Sequence, residues 1–179
     1  MSVQSEQLRN RALHARRENQ LDDANRDLIS AVALCREARE DGDLAKSLTA
    51  LGQIERDLHR YDAALKNYEE AAAIYREKKD VLKLAHTIRH VADIHRHEGH
   101  TKLADKYYRE ALDLYRANDQ TTRLDFANAI RGYAILKHEA GETARAKSLW
   151  QEARALYLEV GVKEGVAESS RQLALLEQA

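Results

Sequence analysis

Residues 44–75 read LAKSLTALGQIERDLHRYDAALKNYEEAAAIY, and residues 84–115 read LAHTIRHVADIHRHEGHTKLADKYYREALDLY. A shift of 40 residues lays Ala45 on Ala85, Leu48 on Ile88, Leu51 on Val91, Ile54 on Ile94, Ala64 on Ala104, Tyr68 on Tyr108, Ala71 on Ala111 and Ile74 on Leu114. The matched positions are apolar or small and recur at three- and four-residue intervals, the period of a helix with one buried face. Each copy holds two such runs, so the repeating unit is a helix hairpin.

A further shift of 42 residues reaches Ala127, Ile130, Tyr133, Leu136, Ala146, Trp150, Ala153 and Leu156. Stepping back by 40 from the first quoted stretch gives a weaker copy at Leu8, Ala12, Leu21, Ala24, Leu28, Ala31 and Leu34. Stepping on from Ala127 leaves room for only half a unit, carrying Ala167, Leu173 and Ala174. The pattern therefore predicts one domain over residues 1–179, with repeats at about 5–43, 44–83, 84–125 and 126–165 and a closing helix over 166–179. Asn19, His59, Gly99 and Gly141 share one repeat position and are residue types that tolerate positive φ, so they mark the turn inside each hairpin. Breaks between units are expected near Asp41-Gly42-Asp43, Lys79-Asp80, Asn118-Asp119 and Gly161.

Within a hairpin, Gly52, Ala92 and Ala134 on first helices and Ala64, Ala104 and Ala146 on second helices are small where Tyr68, Tyr108 and Trp150 are large. Large against small lets antiparallel helices approach closely and predicts burial of Leu51, Tyr68, Val91, Tyr108 and Trp150. One hairpin cannot bury its own apolar face, so stability must come from stacked neighbours, with atypical ends. Arg11 stands where later copies carry Leu51, Val91 and Tyr133, as an end unit should.

This arrangement, clearest in Leu48-Thr-Ala-Leu51-Gly52 followed by Tyr61, Ala64, Tyr68 and Ala71, resembles the tetratricopeptide repeat. The resemblance implies an all-α fold, a right-handed α-solenoid of helix hairpins working as a protein-binding scaffold. Two features depart from the family: no copy carries the usual proline after its second helix, and the period exceeds about 34 residues. The longer period is similar to that of the arrays in kinesin light chains. Relatives that clamp a terminal carboxylate use Asn, Asn, Lys and Arg where this chain has Leu13, Ala50, His86 and His90, so that mode is not expected here.

The remaining composition fits this reading. Proline is absent and glycine numbers 7, so helix formers dominate and no strand is expected. Lys and Arg total 29 against 30 acidic residues, which gives no global attraction to nucleic acid or to an anionic membrane. Cys35 is the single cysteine and, among Ala31, Val32 and Leu34, reads as packing in a reducing compartment. No signal peptide or membrane span is legible, so a soluble cytoplasmic protein is expected. No phosphate-cradling glycine loop, HExxH or nucleophile turn is present, so neither catalysis nor a cofactor is expected.

In the family that the chain resembles, first helices line the binding groove. The equivalent positions here include Arg9, Arg16, Lys46, Gln53, Arg56, His86, Arg89, His90, Asp93, Arg96, His97, Asn128, Arg131 and His138, with Gly132 among the others. The full set of groove positions holds nine Lys or Arg against five acidic residues, although the chain as a whole is neutral. Two readings stay open: a groove for an acidic peptide or protein segment, or ordinary solvated residues paired along and between helices. His86, His90, Asp93 and His97 lie on one helix face at a spacing that could hold zinc or nickel, against the plainer reading of a hydrated polar face. His95 falls in the buried register. An alternative function is homodimerisation through the end helix, where Leu173 and Leu176 face inward and Leu175 faces elsewhere.

Overall fold

The hairpin periodicity becomes nine helices among the described residues, 3–178, of a computed structural model. They are α1 (Val3–Arg17), α2 (Leu21–Glu37), α3 (Asp41–Asp57), α4 (Tyr61–Glu77), α5 (Val81–His97), α6 (Thr101–Arg116), α7 (Arg123–Glu139), α8 (Thr143–Glu159) and α9 (Lys163–Glu177). No strand occurs among these residues. The fold class is all-α among the described residues, built from the helix hairpins anticipated from the repeat. None of the described helices is long and apolar enough to cross a membrane.

Packing divides the chain into two compact units between Ile94 and His95. In the first, α1 packs on α2, α2 on α3 and α3 on α4, while α1 also touches α3, which puts the first helices of successive repeats side by side. Leu28, Leu48, Ile54 and Tyr68 are fully enclosed there. In the second, α6 packs on α7, α7 on α8 and α8 on α9, around Tyr108, Leu112, Ile130, Leu149 and Trp150. The large-against-small rule is strict: a Cβ on Gly52 would lie 2.8 Å from the Tyr68 ring. Leu51 and Val91 are also buried, as the register requires.

At seven of its turns the chain reverses without proline by putting one residue in the left-handed region. Asn19, His59, Gly99 and Gly141 do so within hairpins, and Arg39, Lys79 and Gly161 between them. At each turn the next residue's N–H reaches back to the carbonyl five residues earlier, as in His100 N–H to His95 O at 2.8 Å and Glu142 N–H to Lys137 O at 2.9 Å. These bonds satisfy carbonyls that a helix end otherwise leaves open.

Three boundaries differ from the sequence expectation. The first inter-repeat break falls at Arg39, not at Asp41-Gly42-Asp43, and Gly42 lies in the first turn of α3. Glycine suggested a break, but register decides: Arg39 sits one repeat before Lys79, which has the same conformation. Near Asn118-Asp119 no residue takes positive φ. A longer connection instead ends at Thr122, whose hydroxyl accepts the Asp125 N–H and caps α7, which accounts for the 42-residue spacing. The closing helix starts at Lys163, three residues before the expected 166. At the weak first copy Arg11 is exposed and forks onto Asp27 at 2.6 and 2.9 Å, so an ion pair replaces the apolar contact of later repeats.

Candidate peptide-binding face

In the first unit, helices α1, α3 and α5 present the predicted residues as a chain of linked polar groups. Arg9 on α1 donates to Ser47 (3.1 Å) and Asp43 (3.4 Å) on α3, and Lys46 donates to the same Asp43 oxygen at 3.0 Å. Burial alone would push the Asp43 carboxyl up, but Lys46 and Arg9 outweigh it and hold the group below its ordinary value. Two turns further along α1, Arg16 donates to Asp57 at 2.8 Å and to Gln53 at 3.2 Å, while Arg56 donates to the other Asp57 oxygen at 3.0 Å. Two carboxylates thus each serve two cations. Asp43 was not among the predicted positions, because it lies just ahead of the first groove position in the family pattern; only the Asp43–Lys46 spacing of three residues hinted at it.

His90 stands at the centre of the α3–α5 contact. Its ring stacks on Tyr68, with centroids 5.4 Å apart and planes 13° apart. Arg56 points at Nδ1 from 2.9 Å and Arg89 at Nε2 from 3.0 Å, and Asp93 lies 3.4 Å from Nδ1. Desolvation, followed by the positive charge of Arg89, holds the imidazole well below its ordinary pKa against the pull of Asp93. A neutral imidazole has one acceptor nitrogen, so it takes a full hydrogen bond from only one guanidinium at a time. The residue expected on an open face is only 5 % exposed, with Tyr68 stacked on its ring and the two guanidinium groups at its nitrogens. Arg89, whose side chain is 14 % exposed, also donates a single bond to Asp93 at 3.0 Å.

The His86, His90, Asp93 and His97 set does not converge on one point. His86 Nε2 lies 3.2 Å from His90 Nε2, whereas Asp93 lies on the opposite ring nitrogen, and Arg89 already occupies the space beside Nε2. His97 is exposed.

In the second unit, Arg96 pairs with Glu139 at 2.9 Å, and Arg131 grips Glu168 with two bonds of 2.6 Å. Asn128 accepts from the Tyr157 hydroxyl at 2.8 Å, and His138 is exposed. Gly132, one of the groove positions, is buried: a Cβ there would meet the Tyr108 ring at 2.8 Å. Beneath this face, Lys137 bridges Asp105 (2.6 Å) and Glu142 (2.8 Å), and Tyr133 donates to Asp105 at 3.0 Å. The balance of charge differs between the units. Arg131 and Arg96 each meet their own carboxylate, whereas in the first unit Arg9 with Lys46, and Arg16 with Arg56, each share one.

The sequence matches the tetratricopeptide repeat over residues 5–77 and, overlapping, 43–117. No curated protein matches it in sequence. Its backbone is similar to BtubC (BKLC) from P. vanneervenii, with a TM-score of 0.81 and 19 % identity over 99 % of this chain and 80 % of that one. It is also similar to a Podosopora anserina protein described as a kinesin light chain with nearly identical TPR-like repeats, with a TM-score of 0.80 and 14 % identity over 99 % of this chain and 88 % of that one. MamA gives a TM-score of 0.62 at 13 % identity, over 99 % of this chain and 94 % of that one.

Proposed function

The chain belongs to the tetratricopeptide repeat family, and from that premise we propose that it is a non-enzymatic scaffold whose first-helix face holds an acidic segment of a partner protein. The observation that carries the reading is the shared use of Asp43 by Arg9 and Lys46 and of Asp57 by Arg16 and Arg56. Each cluster sets two positive charges against one negative, so each retains a surplus that an incoming carboxylate can neutralise. The arginines are held in place by their internal partners, which lowers the ordering cost of a forked contact. Lys46, with a side chain 46 % exposed, and Arg16, at 31 %, are the groups that a ligand meets first. Gln53 and His86 extend the same face as further hydrogen-bonding groups. Within the second unit taken by itself, Glu139 and Glu168 already neutralise Arg96 and Arg131, so those positions carry less of the reading.

Peptide display against the whole proteome tests this. Acidic segments should be recovered, and their affinity should fall as salt rises, since exposed charges are screened over about 10 Å at 0.1 M ionic strength. Arg16→Glu with Lys46→Glu should abolish binding while leaving the helical circular dichroism intact. In this variant Arg56 still serves Asp57 and Arg9 still serves Asp43, so neither carboxylate loses its last cation of the cluster. Recovery of basic or apolar peptides, or normal binding by the double variant, would sink the assignment.

The self-association reading rests on α9, which turns Leu173 and Leu176 inward and leaves Leu175 51 % exposed. Sedimentation equilibrium at micromolar concentration decides it, and a strict monomer ends it.

A further inference from the structure

The turn that closes α5 brings together three metal-ligating side chains that the repeat pattern alone does not explain. His95 lies on the last turn of α5, Glu98 follows its end, and His100 precedes the first residue of α6. The Glu98 carboxylate lies 3.5 Å from His100 Nδ1 and 4.0 Å from His95 Nδ1, and the three donor atoms fall within 4.8 Å of one another. The backbone holds this arrangement. Gly99 adopts φ +76°, Gly99 N–H bonds to Arg96 O at 3.0 Å, and His100 N–H bonds to His95 O at 2.8 Å. The His95 ring is set by stacking on Tyr107, with centroids 5.5 Å and planes 11° apart, and the His100 ring inclines toward it at 5.7 Å.

Comparison with the equivalent turns isolates what is special. The residues joined by the same backbone bond are Ala15 and Gln20, Glu55 and Arg60, His95 and His100, and Lys137 and Glu142. Two of these pairs are complementary in charge, and Lys137 and Glu142 do form an ion pair at 2.8 Å. The third turn instead sets two imidazoles around one carboxylate. As cations the two histidines would repel each other; as neutral bases they offer two nitrogen lone pairs and an anionic oxygen on one side of the turn. That is the donor set that zinc and neighbouring first-row ions take up, with ligand bonds of about 2.0–2.2 Å and ligand–ligand spacings of about 3.2–3.6 Å. The Glu98–His100 distance already has this value, and small side-chain rotations bring in His95 Nδ1.

We propose that His95, Glu98 and His100 form a binding site for a divalent transition-metal ion of the zinc or nickel class, completed by solvent. His100 is exposed and Glu98 half-buried, so an ion enters from water, while buried His95 anchors the inner side. Such an ion would clamp the end of α5 to the start of α6, so its binding stabilises the second unit.

Isothermal titration of the full-length, untagged protein with zinc chloride, and separately with nickel chloride, tests the site. One saturable equivalent is expected for at least one of the two ions, together with a rise in melting temperature. His100→Ala and Glu98→Gln should each weaken binding at least tenfold; both side chains lie outside the core, so these variants fold. His86→Ala with His97→Ala should bind within twofold of the unchanged protein, which separates this site from the neighbouring histidine face. Cobalt(II) added as a spectroscopic probe should give visible bands that are lost in His100→Ala. Absence of saturable binding, full binding by His100→Ala, or loss of binding confined to the His86 and His97 variant would overturn the proposal.

Discussion

Replacing Gly132 by alanine isolates the packing rule on which the fold rests. In an ordinary helix interior this change stabilises by about 0.8–1.0 kcal/mol, because glycine loses more backbone freedom on folding. At Gly132 the new Cβ would lie 2.8 Å from both Cε1 and the hydroxyl oxygen of Tyr108 and 3.1 Å from its Cζ. Tyr108 is fully buried, with a neighbouring ring, Tyr133, at 5.8 Å, so it has little room to retreat. Overpacking of this kind costs about 1–3 kcal/mol, which exceeds the helix gain and leaves a net loss of about 0–2 kcal/mol. Tyr108→Leu removes the three crowding atoms. In that background Gly132→Ala should stabilise by about 1 kcal/mol, reversing its sign. Urea denaturation of the four proteins in the cycle, followed by circular dichroism, reads both values. Gly42→Ala is the internal control: nothing lies within 4 Å of its Cβ position, so it should stabilise in either background. Equal effects of Gly132→Ala with and without the Tyr108 ring would refute the close-approach argument.

Two further outcomes follow from buried and strained positions. His90 has a depressed pKa in the folded chain, so below its ordinary value of 6.5 the unfolded state binds the proton first and stability falls with pH. The loss should approach about 1.4 kcal/mol per pH unit on descending from pH 6.5, and this contribution should be absent from the profile of His90→Gln; parallel profiles for the two proteins would contradict it. His86, Arg56, Arg89, Asp93 and the stacked Tyr68 are the titratable or charged groups facing this ring, and none is altered in that comparison. Arg39→Gly and Lys79→Gly should each stabilise by about 0.5–1 kcal/mol in thermal or urea unfolding, because both residues hold positive φ without being glycine; destabilisation would show that their side chains matter more than the strain.

Much of the architecture was legible because repetition multiplies a weak signal. One Tyr68 at helical spacing says little, but Tyr68, Tyr108 and Trp150 in one register fix the hairpin, and all three are buried. Turn residues within hairpins were legible for the same reason. The break at Arg39 was not, because a nearby glycine outweighed register, although Arg39 copies Lys79 at a shift of 40. The candidate face was legible in residue identity but not in charge balance. Composition counts cations and carboxylates without saying which share a partner; Asp43 and Asp57 become decisive only when Arg9, Lys46, Arg16 and Arg56 are placed around them. His90 shows the limit of periodicity. Its position is polar by pattern, yet Tyr68 from the preceding helix and the guanidinium groups of Arg56 and Arg89 crowd its ring, and no spacing rule along one helix anticipates that cover.

The central claim, that shared carboxylates leave surplus positive charge for an acidic ligand, is tested most directly by removing one of those carboxylates. Asp57→Asn deletes the negative charge common to Arg16 and Arg56 while preserving shape and a hydrogen-bond acceptor. Fluorescence anisotropy with a labelled octaglutamate peptide at low salt should then show tighter binding than the unchanged protein, by about two- to fivefold, the scale of one exposed ion pair. Unchanged or weaker binding by Asp57→Asn would contradict the account.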